Sequence, residues 1–139
     1  MIECRGIHKS FGSLEVIRGV DFAVEKGEVV SIVGPSGAGK TTLLQIVGTL
    51  DRPDSGTVCY GDVEPFGLRA AELARFRNRN IGFVFQFHQL LPEFTLLENV
   101  AMPALIGGAS RKEAFARASE LTAMLGLADR ESHRPAQLS

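Results

Sequence analysis

The sequence predicts an α/β fold with a mixed sheet, in which a strand-rich core fills the first ninety or so residues and a helical annex follows. Three observations predict it. The run VVSIV at 29–33 is apolar on both faces apart from Ser31 and too short for a helix, which suits a strand covered on both sides in a parallel sheet. A second such run, IGFVF, occupies 81–85. In the second half, Thr95-Leu96-Leu97-Glu98 and Ser110-Arg111-Lys112-Glu113 each place a serine or threonine three residues before a glutamate, the pattern of a capping box.

Taken in order, Val20, Phe22 and Val24 alternate with Asp21, Ala23 and Glu25, the two-residue period of a half-buried strand, and Lys26-Gly27 reads as a turn. After the glycines beyond 33, Leu43, Leu44, Ile46 and Val47 fit a helix that ends near Gly48. The segment 51–56, DRPDSG, is a turn cluster; 57–60 reads as a short strand and 70–77 as a helix. The first capping box opens a helix that should stop before Pro103 and the Gly107-Gly108 pair. The second opens one that runs through Ala114, Ala118, Leu121 and Leu125 to Gly126. The boundary between core and annex falls near Gln86, giving domains of 1–86 and 87–139.

Composition sets limits on function. A chain of 139 residues with 45% hydrophobic content can close one core. Fifteen basic residues nearly cancel sixteen acidic ones, so overall charge gives no argument for a nucleic-acid partner. Two cysteines, Cys4 and Cys59, lack metal-ligand spacing and read as reduced thiols. No apolar stretch has the length of a membrane span, so work at a membrane would need another anchor.

The break after VVSIV carries the chemistry. Gly34-Pro35-Ser36-Gly37-Ala38-Gly39-Lys40-Thr41 matches G-x-x-x-x-G-K-[ST] between an expected strand and an expected helix, the setting of a phosphate-binding P-loop. Glycines allow consecutive backbone amides to turn toward one anion, and the helix N-terminus adds its dipole. Lys40 then reaches the β- and γ-phosphates, Thr41 can hold Mg²⁺, and Thr42 faces the α-phosphate. A dinucleotide site does not fit, because Gly37-Ala38-Gly39 lacks the third glycine of G-x-G-x-x-G.

Three further segments narrow the family: His8-Lys9-Ser10-Phe11-Gly12, Phe85-Gln86, and Gln137-Leu138-Ser139. With the P-loop, they resemble the ATP-binding subunit of an ABC transporter. The wording of GPSGAGKTTLLQIVGTLDRPDSGTV, FQFHQLLPEFTLLENVAMP and HRPAQLS is similar to the lipoprotein-releasing and macrolide-export ATPases in particular. The resemblance implies ATP and Mg²⁺ as cofactors, with Phe11 stacking on adenine and Val16 as its apolar companion. Gln86 is implied to contact Mg²⁺ and the water site and to sense the permease, and Leu138-Ser139 to begin the LSGGQ signature. It also implies a head-to-tail dimer in which Ser139 caps the γ-phosphate of the opposite subunit, transmembrane permease subunits as partners, no nucleic acid, and a peripheral position on the cytoplasmic face of the inner membrane.

Plainer readings stand beside these. Phe11 could plug a core edge, Gln86 could be a strand-end amide, and 87–102 could be subdomain core as well as a groove for the permease. His88 is given no role, and Arg75, Arg77 and Arg79 read as a solvated face. The Walker B strand, its catalytic glutamate and the rest of the signature have no counterpart among these residues, and MLGLADRE at 124–131 fails as an imitation because it continues a helix. The expectation is therefore an ATPase subunit whose core lacks its C-terminal part here, so that this 139-residue chain binds nucleotide weakly, exposes unpaired sheet and does not turn over ATP. A non-catalytic nucleotide-binding fragment and another kind of P-loop NTPase are the alternatives.

Overall fold

The computed structural model describes residues 1–87 and 89–138. They form two compact units, Met1–Ile81 and Gly82–Ser139.

The first unit is built on a sheet of order β2-β1-β3, with β1 at Ile2–Phe11, β2 at Leu14–Val24 and β3 at Ser55–Tyr60. Both ladders are antiparallel, pairing Ile2 with Val24 on one side and with Tyr60 on the other. The register shifts between Cys4 and Ile7 in the β1–β2 ladder and between Arg5 and His8 in the β1–β3 ladder, and across this bulge Cys4 and Ile7, three apart, are both buried. Helix α1, Lys40–Val47, seats Leu43 and Ile46 on that face, where they meet Cys4, Ile7, Ile17 and Val58. Tyr60 closes the edge: its hydroxyl donates to the Val47 carbonyl at 2.6 Å, and its ring meets Phe76 of α2, Ala70–Asn80, edge-on. Burial pushes the Cys4 thiol up to about 11. Cys59 lies opposite Glu3 while Cys4 lies opposite Val58, so the two sulfurs face opposite sides of the sheet and both are free.

Two expected strands are absent as strands. Residues 29–33 and 81–85 have no ladder among the described residues, and Val29 and Val33 are 94% and 86% exposed. An apolar, β-branched run supplies side chains for a buried strand but not the neighbours that satisfy its backbone, and the antiparallel ladders of this unit are completed by β1, β2 and β3 alone. In 81–85 the Phe83 and Phe85 rings stack on each other at 5.3 Å.

The second unit is helical. Both capping boxes form: the Thr95 hydroxyl accepts from the Glu98 amide and the Glu98 carboxylate from the Thr95 amide, and Ser110 and Glu113 repeat the exchange. They open α3 at Leu96–Ile106 and α4 at Arg111–Met124. Ala101, Ala114 and Ala118 are buried together, small enough for the helices to approach closely, with Leu97, Val100, Leu105 and Phe115 around them. The expected stop before Pro103 does not occur, and α3 continues to Ile106 with Gly107 at its cap. The proline ring removes one amide donor, to the Asn99 carbonyl, while Ala101 and Leu105 on either side stay in the α3–α4 contact and hold the helix together.

After α4 the chain doubles back through Gly126 and a 3₁₀ turn at Ala128–Arg130. The Glu131 carboxylate accepts from the Ser119 hydroxyl at 2.8 Å and from Thr122, and the Glu131 and His133 carbonyls accept from the Leu97 and Leu96 amides. The hydroxyls of Thr122 and Ser119 hold the Glu131 carboxyl below the usual glutamate range. The Thr95 amide does the same to Glu98, and the Ser110 hydroxyl to Glu113.

Two outcomes follow for stability. Ile46→Ala, which empties a fully buried position, should cost about 2–5 kcal/mol in denaturant unfolding, whereas Arg117→Ala, which removes an exposed pair with Glu120, should cost less than about 1 kcal/mol. Because folding depresses the Glu98, Glu113 and Glu131 carboxyls, their contribution is complete above the ordinary glutamate value and is lost as pH falls through the folded values. Melting temperatures measured from about pH 7 to pH 3 should fall, and Glu131→Gln should flatten that fall.

Candidate functional site

The loop 34–39 runs directly into α1, whose first intrahelical bond, Leu43 amide to Gly39 carbonyl, spans 2.8 Å. Gly39 is the N-cap residue, in a left-handed conformation with φ 84°, so no side chain caps the helix there and no acidic residue stands in its first turn. It is a glycine for a second reason. A Cβ at that position would lie 2.9 Å from Val16 Cγ1 and 3.1 Å from the Val16 carbonyl. The loop backbone is therefore pressed onto β2, and Val16 is part of the site by contact.

Lys40 turns back over the loop, and its ammonium donates to the Gly34 carbonyl at 2.9 Å and to the Pro35 carbonyl at 2.8 Å. The Ala38 amide bonds the Pro35 carbonyl at 3.2 Å, tightening the turn. Val16, Ser36, Gly37, Gly39, Lys40, Thr41 and Thr42 enclose a cavity of about 260 Å³. Its polar lining consists of backbone amides, an ammonium and hydroxyls. Without a carboxylate, and with the positive end of α1 opening into it, this donor set suits an anion. Next to it, a cavity of about 370 Å³ extends along Val16, Ile17, Val20, Ile32 and Val33.

The structure thus brings Val16 together with the glycine loop, Lys40, Thr41 and Thr42. Phe11, at the end of β1, is 52% exposed and lines neither cavity. Gln86 belongs to the second unit, exposed in a bend. His88 and Ser139 lie outside the described residues. Residues 124–131 are the end of α4 and a 3₁₀ turn, as their failure to match a Walker B strand requires.

Sequence reasoning missed Asn99. Its side-chain carbonyl accepts from the Leu91 amide, and its amide group donates to the carbonyls of Leu91, Phe94 and Thr95, which fixes the shape of the segment leading into α3. The available signal was an asparagine in the first turn after a capping box, where its short amide reaches back to the preceding loop.

The ABC transporter family model matches residues 17–139. The chain belongs to the ABC transporter family. It is 63% identical over 139 residues to the lipoprotein-releasing system ATP-binding protein LolD of Bacteroides thetaiotaomicron and 61% identical to that of Porphyromonas gingivalis, covering all of this chain and 64% of each relative. Among solved structures, a dimeric ATP-binding cassette in a post-hydrolysis state bound to ADP and Pi matches with a TM-score of 0.88 at 37% identity, and a dimeric bacterial ABC transporter cassette with 0.89 at 37% identity. Each match covers all of this chain and 63% of the other. This ABC chain therefore spans somewhat less than two thirds of the length of the relatives it matches, and over that span it has the ABC cassette fold.

The close contact at Gly39 can be tested directly. Gly39→Ala should lower the melting temperature. Placing it on a Val16→Ala background should recover only part of the loss, because the clash with the Val16 carbonyl and the left-handed φ remain.

Proposed function

We propose that this chain is the nucleotide-binding part of an ABC transporter ATP-binding subunit of the lipoprotein-releasing type. The observation that carries the reading is the uncapped N-terminus of α1 facing a carboxylate-free cavity with Lys40 beside it. The amides of Gly37, Ala38, Gly39, Lys40 and Thr41 and the ammonium of Lys40 would hold the β- and γ-phosphates, with Gly34, Pro35 and Ser36 shaping the loop and Thr42 at the α-phosphate. Lys40 would exchange its bonds to the Gly34 and Pro35 carbonyls for phosphate oxygens. Phe11 and Val16 would take the base.

The described residues fit Mg²⁺ only as an ion shared with phosphate, since no cluster of three acidic, histidine or cysteine side chains that could hold a metal occurs among them. The Thr41 hydroxyl, with Gln86, would be its protein ligand. When bound, Mg²⁺ neutralises phosphate charge in phosphoryl transfer. The assigned roles divide the chain into a nucleotide core over 1–86 and a helical subdomain over 87–139 that leads into the signature.

In the wider setting of this proposal, a second copy would be related head to tail, with Ser139 reaching the γ-phosphate in trans, and permease subunits would bring the protein to the cytoplasmic face of the inner membrane; that two of the matched structures are dimeric cassettes supports the pairing of two copies. No described helix is long and apolar enough to cross a membrane, which fits attachment through such a partner. In the second unit, Phe94, Met102, Leu105 and Phe115 line a groove of about 320 Å³ flanked by Glu98 and Arg111, a suitable seat for a permease segment. A second reading, binding without turnover, is favoured for these 139 residues because no carboxylate stands at the cavity to orient a water.

Calorimetric titration with MgATP tests the reading. Lys40→Ala should weaken binding about 10- to 100-fold, the worth of charge-assisted hydrogen bonds, and unchanged affinity overturns it. The 139-residue chain should release no phosphate beyond the first turnover; multiple turnovers abolished by Lys40→Ala would reject the binding-only reading.

A further inference from the structure

Lys9 is a charged residue two positions before the end of β1, and its side chain is only 12% exposed. Its ammonium bonds the Asp51 carboxylate at 2.9 Å and the Arg52 carbonyl at 2.7 Å, with the Asp54 carboxylate at 3.9 Å. The same turn is stitched to β1 by backbone. The Ser10 amide donates to Asp54 Oδ2 at 2.7 Å, and the Asp54 amide to the His8 carbonyl at 2.9 Å. On its other side the turn is fastened to α1, since the amides of Leu50 and Asp51 both donate to the Gln45 carbonyl. Finally, the Lys9 ammonium stands 5.4 Å from the centroid of the Phe11 ring.

These contacts form one mechanical path. The phosphate loop is the N-terminus of α1, an eight-residue helix about 12 Å long, and the helix fixes how far the loop lies from Asp51. Asp51 fixes Lys9, and Lys9 occupies the negative face of Phe11. A ring held by a cation on one face has its other face oriented and open, which agrees with its exposure of 52%.

We propose that Lys9 is a positioning residue for base recognition: clamped by Asp51 and the Arg52 carbonyl, it holds the Phe11 ring at a fixed distance from the phosphate loop, so that a purine can stack on the free face while its phosphates occupy the loop. This rests on the reading of Phe11 as the base-stacking residue. Lys9 touches no nucleotide atom and acts through Phe11.

The experiment compares MgATP with inorganic tripolyphosphate, which has the phosphates and no base, by calorimetry on the 139-residue chain and its variants. Lys9→Met should weaken MgATP binding about three- to tenfold, the range of a partly buried cation–π contact, and leave tripolyphosphate binding unchanged. Lys9→Arg, which keeps the cation and the carboxylate pair, should restore MgATP affinity. If Lys9→Met does not fold, Asp51→Asn, which loosens the clamp and leaves the lysine in place, should show the same selective loss. Phe11→Ala separates the two levels of the argument. A Phe11→Ala chain with full MgATP affinity rejects stacking and this inference together, whereas selective loss in Phe11→Ala with full affinity in Lys9→Met, or in Asp51→Asn where Lys9→Met does not fold, overturns the inference alone. Equal weakening of both ligands by Lys9→Met means that the lysine supports the fold and does not position the ring, which also overturns it.

Discussion

The phosphate loop is held in shape by a contact that leaves room for a hydrogen and nothing larger: the α-carbon of Gly39 against Val16 of β2. That approach sets where α1 begins, and so which of its amides are left without a capping side chain. It also sets the angle at which Leu43 and Ile46 drop into the cluster formed by Cys4, Ile7, Ile17 and Val58. The core and the site are thus consequences of the same constraint. Burial of the α1 face presses the loop onto β2, and the lack of a side chain at Gly39 permits it. An interior packed to near-crystalline density transmits such a constraint without slack.

What could be read from the sequence was whatever depends on residues close together in the chain. The two capping boxes, α1 with its glycine cap, α2 and the phosphate loop are decided within a few positions by side-chain oxygens, proline-free periodicity and glycine spacing. Strand β1 was not legible, because the bulge after Cys4 brings Cys4 and Ile7 to the same face at a spacing of three, which breaks the alternation by which a strand is recognised. Residues 29–33 show the converse. Their side chains have the strand pattern in full, yet a ladder requires a partner whose identity the pattern does not encode. Pro103 misled for a similar reason, since the local rule was outweighed by packing on α4. Val16 entered the site reading through family resemblance and lies against Gly39, whereas Asn99 and Lys9 act through hydrogen bonds to chain segments that only the fold brings near.

In the second unit, polar groups complete what the alanine cluster between α3 and α4 begins: Asn99 gathers the segment before α3, and Glu131 and His133 take up the first amides of α3 while Glu131 is itself held by Ser119 and Thr122. Helix termini leave amides that must find acceptors, and here the returning chain supplies them. The segment ahead of α3 and the returning residues Glu131 and His133 are in this way fastened to the same turn of the same helix.

The β1–β2 hairpin has a consequence for the order in which the molecule is made. Its ladder joins positions no further apart than Ile2 and Val24, so loop closure costs little entropy and the pairing is complete with a short length of chain. Those residues leave the ribosome ahead of residues 34–47. The surface on which Gly39 rests, centred on Val16 and Ile17, is thus made of residues that emerge before the phosphate loop does, and their pairing with β1 does not wait for it.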